Sequence, residues 1–467
     1  MELSGPVAGP FSLISTFFSL PDVGYVAEEY FLSGTAASYR LTGSAGNDGE
    51  WATEPGRLAP FTTRLVVYRP IEGYRGTAVV EWLNASSGAD TPPIWLLAHR
   101  HLIRARMAWI GVSTQYAPIH GGGGMAERDD SWNSVRRPPL KQSDPVRYAD
   151  LSHPGDAYCY DIYRQAGELV RRLVPGTQQV LAAGQSQSAA MLVTYVNAIA
   201  PHGSPYDAYL IDGRPGRPAT LTGRVGAVAL NGGTRVRADS TAPVLALQTE
   251  TDVVGFMRSI DSRQPDSDYF RLWELAGAAH VDSYSVGASF TDSGTLTAAE
   301  LAERMAPRRN PLGVDFPEPI NSGPQHHYVL QRAIAALSEW ADGGPAPARA
   351  DRLRVSAGEL VLDVHGNALG GVRTPWLDVP LAVLSGLGQE GGGPAIMFGC
   401  TRPLPGPTPD NYLEAFRAAT GGAVAAGFLL AEDVPEILAM AVANQALSNQ
   451  GRIPPATTDQ VGQGART

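Results

Sequence analysis

The chain has 467 residues and 43% of them are hydrophobic, enough apolar material for a sizeable core, which excludes a globally disordered chain. A formal charge of −10 excludes an ordinary nucleic-acid binder: the nearest approach to a basic stripe, Arg136-Arg137 with Lys141, is broken by Pro138-Pro139. Two cysteines, Cys159 and Cys400, exclude a disulfide framework or a zinc cluster and allow at most one bridge.

No run approaches the roughly 18 apolar residues of a membrane span, so none is expected. The start, MELSGPVAGP, lacks a basic region followed by an apolar run, so no signal peptide is expected. Localisation stays open, with the cytoplasm slightly favoured. In chain order, residues 25–41 read as two strand-like runs around Ser33-Gly34, and 63–69 as a strand ended by Pro70. Residues 77–83 (TAVVEWL) are a largely apolar strand that runs into the turn-rich Asn84-Ala85-Ser86-Ser87-Gly88. A helix over 93–106 and a buried strand over 107–113 follow. Residues 116–154 form a long irregular segment, of the kind that is usually functional or mobile. An amphipathic helix over 156–173 precedes strand 180–183 and helix 188–199. Strand candidates then lie at 208–211, 225–230, 244–248 and 271–275, and a helix at 324–342. Near-continuous apolar strands alternating with helices predict an α/β fold, a mostly parallel sheet covered on both faces.

Gly343-Gly344-Pro345 reads as a boundary. The expected organisation is a core over 1–345 with the loop insertion at 116–154, a subdomain over 346–450 packed on it, and a flexible tail over 451–467. Helices are expected at 410–419 and 433–447 in the subdomain.

The chemistry lies in residues 180–190, VLAAGQSQSAA. A strand runs into Gly184-x-Ser186-x-Ser188 and then a helix, the context a nucleophile elbow requires. Small residues on either side of Ser186 let the backbone bend tightly, although Ser188 stands where the motif has a second glycine. A serine needs a base to become a nucleophile, and such elbows are followed in the chain by an acid and then a histidine. Strand 244–248 runs into Thr249-Glu250-Thr251-Asp252, so Asp252 or Glu250 is the candidate acid, with Asp252 favoured. Strand 271–275 ends in a small-residue loop with His280 as the candidate base; His326 and His327 are its competitors. An oxyanion hole needs two backbone donors. One is expected from Gln187, the other from Asn84 or Ala85 after strand 77–83. Asn84-Ala85-Ser86 also spells a glycosylation sequon, discounted for want of a secretion signal.

Other patterns carry less. Gly386 to Gly391 matches GxGxxG but no helix follows, and Gly121 to Gly124 lacks the lysine of a phosphate loop. No cofactor and no metal are expected. The partner implied is a small-molecule ester, with no nucleic acid and no stated oligomeric state.

With these residues placed, the chain resembles the bacterial and fungal α/β-hydrolase domain-containing proteins. The resemblance rests on 25–39 (YVAEEYFLSGTAASY), 79–84 (VVEWLN), 144–166 (DPVRYADLSHPGDAYCYDIYRQA), 184–189 (GQSQSA), 249–252 (TETD), 275–282 (LAGAAHVD) and 367–380 (NALGGVRTPWLDVP). It implies an α/β-hydrolase fold, a serine nucleophile at Ser186, a histidine at His280 and an acid within 249–252. It spans the C-terminal part as well, which implies that this part is integral. The expected activity is carboxylic-ester hydrolysis through an acyl-enzyme. The alternatives are an acyltransferase using the same intermediate and a non-catalytic binding protein on a hydrolase fold.

Overall fold

The computed structural model describes residues 1–122, 137–225, 232–313, 315–390 and 393–449. The strands β1 (Glu2–Ser4), β2 (Tyr25–Leu41), β3 (Thr53–Pro70), β4 (Thr77–Trp82), β5 (Ala108–Val112), β6 (Gln179–Gln185), β7 (Ala208–Asp212), β8 (Val244–Thr249) and β9 (Phe270–Leu275) form one sheet. Its order is β1-β2-β3-β5-β4-β6-β7-β8-β9. Pairings from β1 to β5 are antiparallel, and those from β5 through β4 to β9 are parallel.

Side chains of a strand alternate between the two faces, and here both faces are apolar. Val79, Leu181, Leu210 and Leu245 enter one core cluster; Val80, Ala182, Tyr209 and Ala246 enter the other. Helices α1 (Pro93–Arg104) and α6 (Gln325–Ala341) cover the first face with Trp95, Leu97, Val329 and Leu330. Helices α2 (Cys159–Leu173) and α3 (Gln187–Thr194) cover the second with Ile162, Val170, Met191 and Val193. Each such side chain contributes roughly 1.5–3 kcal/mol on full burial. This layering is what brings the C-terminal ends of the parallel strands to one edge. Among the described residues no helix is long and apolar enough to cross a membrane.

Three elements differ from the sequence expectation. Residues 25–41 form one strand rather than two runs, because Ser33 and Gly34 pair with Thr62 and Phe61 in register with their neighbours, and the one irregularity of the pairing falls later, between Ala37 and Tyr39. A side chain at Gly34 would begin 2.8 Å from Gln165 Oε1, so the glycine reflects close packing rather than a turn. β3 starts ten positions before the predicted strand because β2 extends a partner to that length. The helix expected over 188–199 is α3 followed by a π-helical turn, Tyr195–Ile199. Cys159 and Cys400 are both free and buried, so no bridge joins them. The strand expected at 225–230, apart from Val225, the second half of the run from Gly121 to Gly124 and the tail over 451–467 lie outside the described residues.

Other helices before the C-terminal part include α4 (Glu250–Val253) and α5 (Ala298–Arg304), and two short helices, Tyr116–His120 and Leu140–Ser143, lie within the segment expected to be irregular. Residues 346–449 add β10 (Val355–Ser356), β11 (Glu359–Leu360), α7 (Pro375–Asp378), β12 (Ala382–Ser385), β13 (Cys400–Pro403), α8 (Tyr412–Ala425) and α9 (Val434–Asn449). Trp376, Leu377, Phe416, Ile437 and Met440 share a core cluster with Trp273 of β9 and Tyr328 of α6. Trp273 Nε1 donates to Ala348 O at 2.7 Å, and Ala276 N donates to Val372 O at 3.1 Å.

Candidate active site

Ser186 stands between β6 and α3 with φ 63° and ψ −120°. That side of the backbone map is disfavoured for any residue with a β-carbon and costs about 1–3 kcal/mol. The strain persists because neighbours hold both sides of the turn. Ser186 N donates to Asp212 O at 2.9 Å, and a β-carbon on Gly184 would lie 2.9 Å from the Ser188 carbonyl. Gly184 is therefore required by backbone approach. Ser188 is tolerated in place of the motif's second glycine because its buried hydroxyl turns away and donates to Leu83 O at 3.3 Å.

His280 lies in the loop after β9, and Asp252 in α4 at the end of β8. His280 Nδ1 is 2.6 Å from Asp252 Oδ1. The other carboxylate oxygen of Asp252 accepts from Thr249 N at 2.7 Å and from the Thr249 hydroxyl at 2.8 Å. A carboxylate held by donors orients the imidazole and keeps its proton on Nδ1, leaving Nε2 as the acceptor. Nε2 is 3.3 Å from Gln185 Nε2, whose amide can donate to it. Asp252 is fully buried, His280 is 3% exposed and Ser186 is 8% exposed.

Glu250 goes elsewhere. Its carboxylate accepts from Gly277 N at 2.6 Å, Gly386 N at 2.8 Å and the Ser385 hydroxyl at 3.1 Å. It ties the β9 loop to β12 and does not touch His280. The two other candidate histidines are also engaged apart from Ser186. His326 Nε2 is 3.0 Å from Asp212 Oδ1, and His327 Nδ1 is 2.6 Å from Leu97 O.

The loop after β4 is fastened to the elbow. Asn84 Nδ2 donates to Gln185 O at 3.1 Å, and the Ser86 hydroxyl to Gln187 Oε1 at 3.2 Å. The Asn84 side chain is thus buried and bonded, which leaves its sequon no accessible amide. Asn84 N donates to Thr91 O at 2.9 Å, so its N–H is committed to the backbone, whereas Ala85 N has no such bond among the described residues. Gln187 N opens α3, where backbone donors lack helical partners.

Ser186 and His280 line one cavity of about 260 Å³. Its walls are mostly apolar: Leu96 and Leu97 from α1, Phe256 and Met257 after α4, Val286 and Phe290 after His280, and Met397 and Phe398 from the C-terminal part. Among the described residues no Asp, Glu, Lys or Arg lines it. The start of α1 is set from within the sheet, as buried Glu81 accepts from Ile94 N at 2.8 Å and Trp95 N at 3.0 Å. A larger cavity of about 430 Å³ lies between α5 and the C-terminal part and contains none of these residues.

Sequence reasoning missed Gly213, which follows β7 with φ 61°. A β-carbon there would lie 2.9 Å from both His280 Cε1 and His280 Nδ1. A glycine just past an apolar parallel strand was the available signal. The Asp212–His326 pair was also missed, since nothing local links residues so far apart.

A family model described as alpha/beta hydrolase domain matches residues 3–439. No curated protein matches the chain. Among solved structures, a candidate dienelactone hydrolase from Klebsiella pneumoniae subsp. pneumoniae is 15% identical, with 56% of this chain and 92% of that one covered and a TM-score of 0.31. An α/β serine hydrolase without a lid from Xanthomonas campestris is 13% identical over 52% of this chain and 83% of that one, with a TM-score of 0.29. A cold-adapted esterase from an Arctic intertidal metagenomic library is 12% identical over 53% and 85%, with a TM-score of 0.27.

Proposed function

Because the chain belongs to the alpha/beta hydrolase domain family, we propose that it is a serine hydrolase that cleaves carboxylic esters of neutral, apolar acids through an acyl-enzyme on Ser186. One observation carries this reading. A serine in a strained turn and an imidazole bonded to a buried carboxylate open onto the same apolar cavity.

In the proposed reaction His280 Nε2 takes the Ser186 hydroxyl proton as Oγ bonds to the ester carbonyl carbon. Asp252 keeps the imidazole oriented and stabilises the imidazolium. The N–H groups of Ala85 and Gln187 receive the developing oxyanion. The bond to the alcohol oxygen then breaks, and His280 returns the proton to the departing alcohol. Water repeats the sequence: His280 takes its proton, the hydroxide oxygen bonds to the acyl carbon, and the Ser186 oxygen leaves with that proton. Walls whose described residues include no Asp, Glu, Lys or Arg favour a neutral acyl group, because an ionised one would lose its water without gaining a partner among them.

A fluorophosphonate probe tests the reading. Intact-mass analysis with peptide mapping should find one adduct on Ser186, absent from Ser186→Ala. Folded wild-type protein that takes no adduct would count against an activated serine.

A further inference from the structure

Beside the proposed reacting groups lies a second buried pair of imidazole and carboxylate. His326 sits in the first turn of α6 and Asp212 ends β7. Both are essentially inaccessible to solvent. Nε2 of His326 lies 3.0 and 3.1 Å from the two carboxylate oxygens of Asp212, a bidentate arrangement. The main chain at Asp212 touches the site twice. Its carbonyl accepts the Ser186 N–H at 2.9 Å, and its neighbour Gly213 leaves room for the His280 ring with under 3.0 Å to spare for a β-carbon. So one short stretch, Asp212-Gly213, borders both the serine turn and the base, and His326 grips its side chain from the far side.

We propose that His326 is a positioning residue for this site: by holding the Asp212 carboxylate it fixes the strand end that sets the Ser186 turn and the seat of the His280 ring. The proposal rests on the Ser186 reading above. It goes further in assigning a role to a histidine that touches neither serine nor substrate.

The charges around His326 agree with a clamp. Burial opposes its protonation, but Asp212 of β7, then Asp282 of the His280 loop and Asp252 of α4, outweigh burial and hold it up at about 9. Glu81 of β4 is raised to about 8, chiefly by burial and in smaller part by Asp212. His326 Nδ1 and Asp282 Oδ2 are each buried without a hydrogen-bond partner among the described residues. An imidazolium carries a proton on both nitrogens, and the nearby charge of Asp282 in the His280 loop favours that state.

The test uses the full chain with His326→Gln and Asp212→Asn, each checked for folding by circular dichroism. Ester turnover and the rate of fluorophosphonate labelling are measured beside wild type. Nitrogen NMR follows the His326 ring of the wild-type protein from about pH 6 to about pH 10. The expected result is a roughly ten- to hundredfold fall in kcat and labelling rate for H326Q, with KM within about twofold. The wild-type ring should be doubly protonated at about pH 7. Folded H326Q that labels and turns over at the wild-type rate overturns the clamp and leaves the Ser186 reading standing. Wild-type protein that takes no label overturns both. If H326Q fails to fold, D212N and the ring decide: wild-type rates in D212N, or a neutral ring at about pH 7, overturn the proposal.

Discussion

Asp252 Oδ1 and His280 Nδ1 meet at 2.6 Å, whereas Glu250, on the same short helix, spends its carboxylate on Gly277, Ser385 and Gly386. The two carboxylates therefore make opposite predictions. Asp252→Asn should lower kcat by about 10³–10⁴-fold with the fold intact, since the amide cannot stabilise the imidazolium. Glu250→Gln should keep kcat within about threefold and lose about 1–3 kcal/mol of stability, because buried donors are left poorly paired. Steady-state kinetics and denaturant melts on both variants check this. The reverse pattern would move the acid's role to Glu250.

Gly213→Ala should impair the base without touching the serine. The added carbon would lie 2.9 Å from two His280 ring atoms, and φ 61° adds backbone strain. The expected loss in kcat is roughly tenfold or more in a protein that still folds. Labelling of Ser186 should slow in parallel. Unchanged labelling would show that the ring has room to move.

Acyl preference follows from the cavity. With p-nitrophenyl esters, kcat/KM should rise by about fourfold per added methylene, from about 0.8 kcal/mol of burial each. The rise should stop once the space of about 260 Å³ is filled. Met397→Ala should shift that limit to longer chains, because Met397 lines the cavity. A succinyl half-ester should be a poor substrate beside a neutral ester of similar size. Preference for the charged ester would refute the neutral assignment.

His326 should leave a mark on stability against pH. Its value is raised from 6.5 to about 9 when folded, so between those limits the folded chain keeps a proton that the unfolded chain has released. Stability from this group is then fully present below 6.5 and is lost as pH rises through about 9. The gap in melting temperature between wild type and H326Q should be widest at the acid end and narrow above about 9. A gap constant across this range would mean that His326 is neutral in the fold.

Much of this site could be read locally. The strand, small-residue turn and helix around Ser186 are contiguous, and elbow strain is a property of a few successive residues. The apolar strands announced a sheet covered on both faces because burial on two sides leaves no alternation to hide. Ser33-Gly34 misled for the same reason: as a pair of small residues they resemble a break, and only the partner strand at Thr62 and Phe61 shows a continuous ladder.

The amino-acid sequence by itself determined most of the elements and placed the candidate serine, carboxylates and histidine in that order, each just past a strand of the sheet. Those follow from periodicity and turn chemistry, which act over a few residues. The tertiary structure alone decided which carboxylate faces His280, since Glu250 and Asp252 share a helical turn and differ only in direction. It alone seated the imidazole against Gly213 and joined Asp212 to His326 across 114 positions of chain. A hydrogen bond is specified by position and angle in space, and residues so far apart in sequence acquire both only when the sheet has closed.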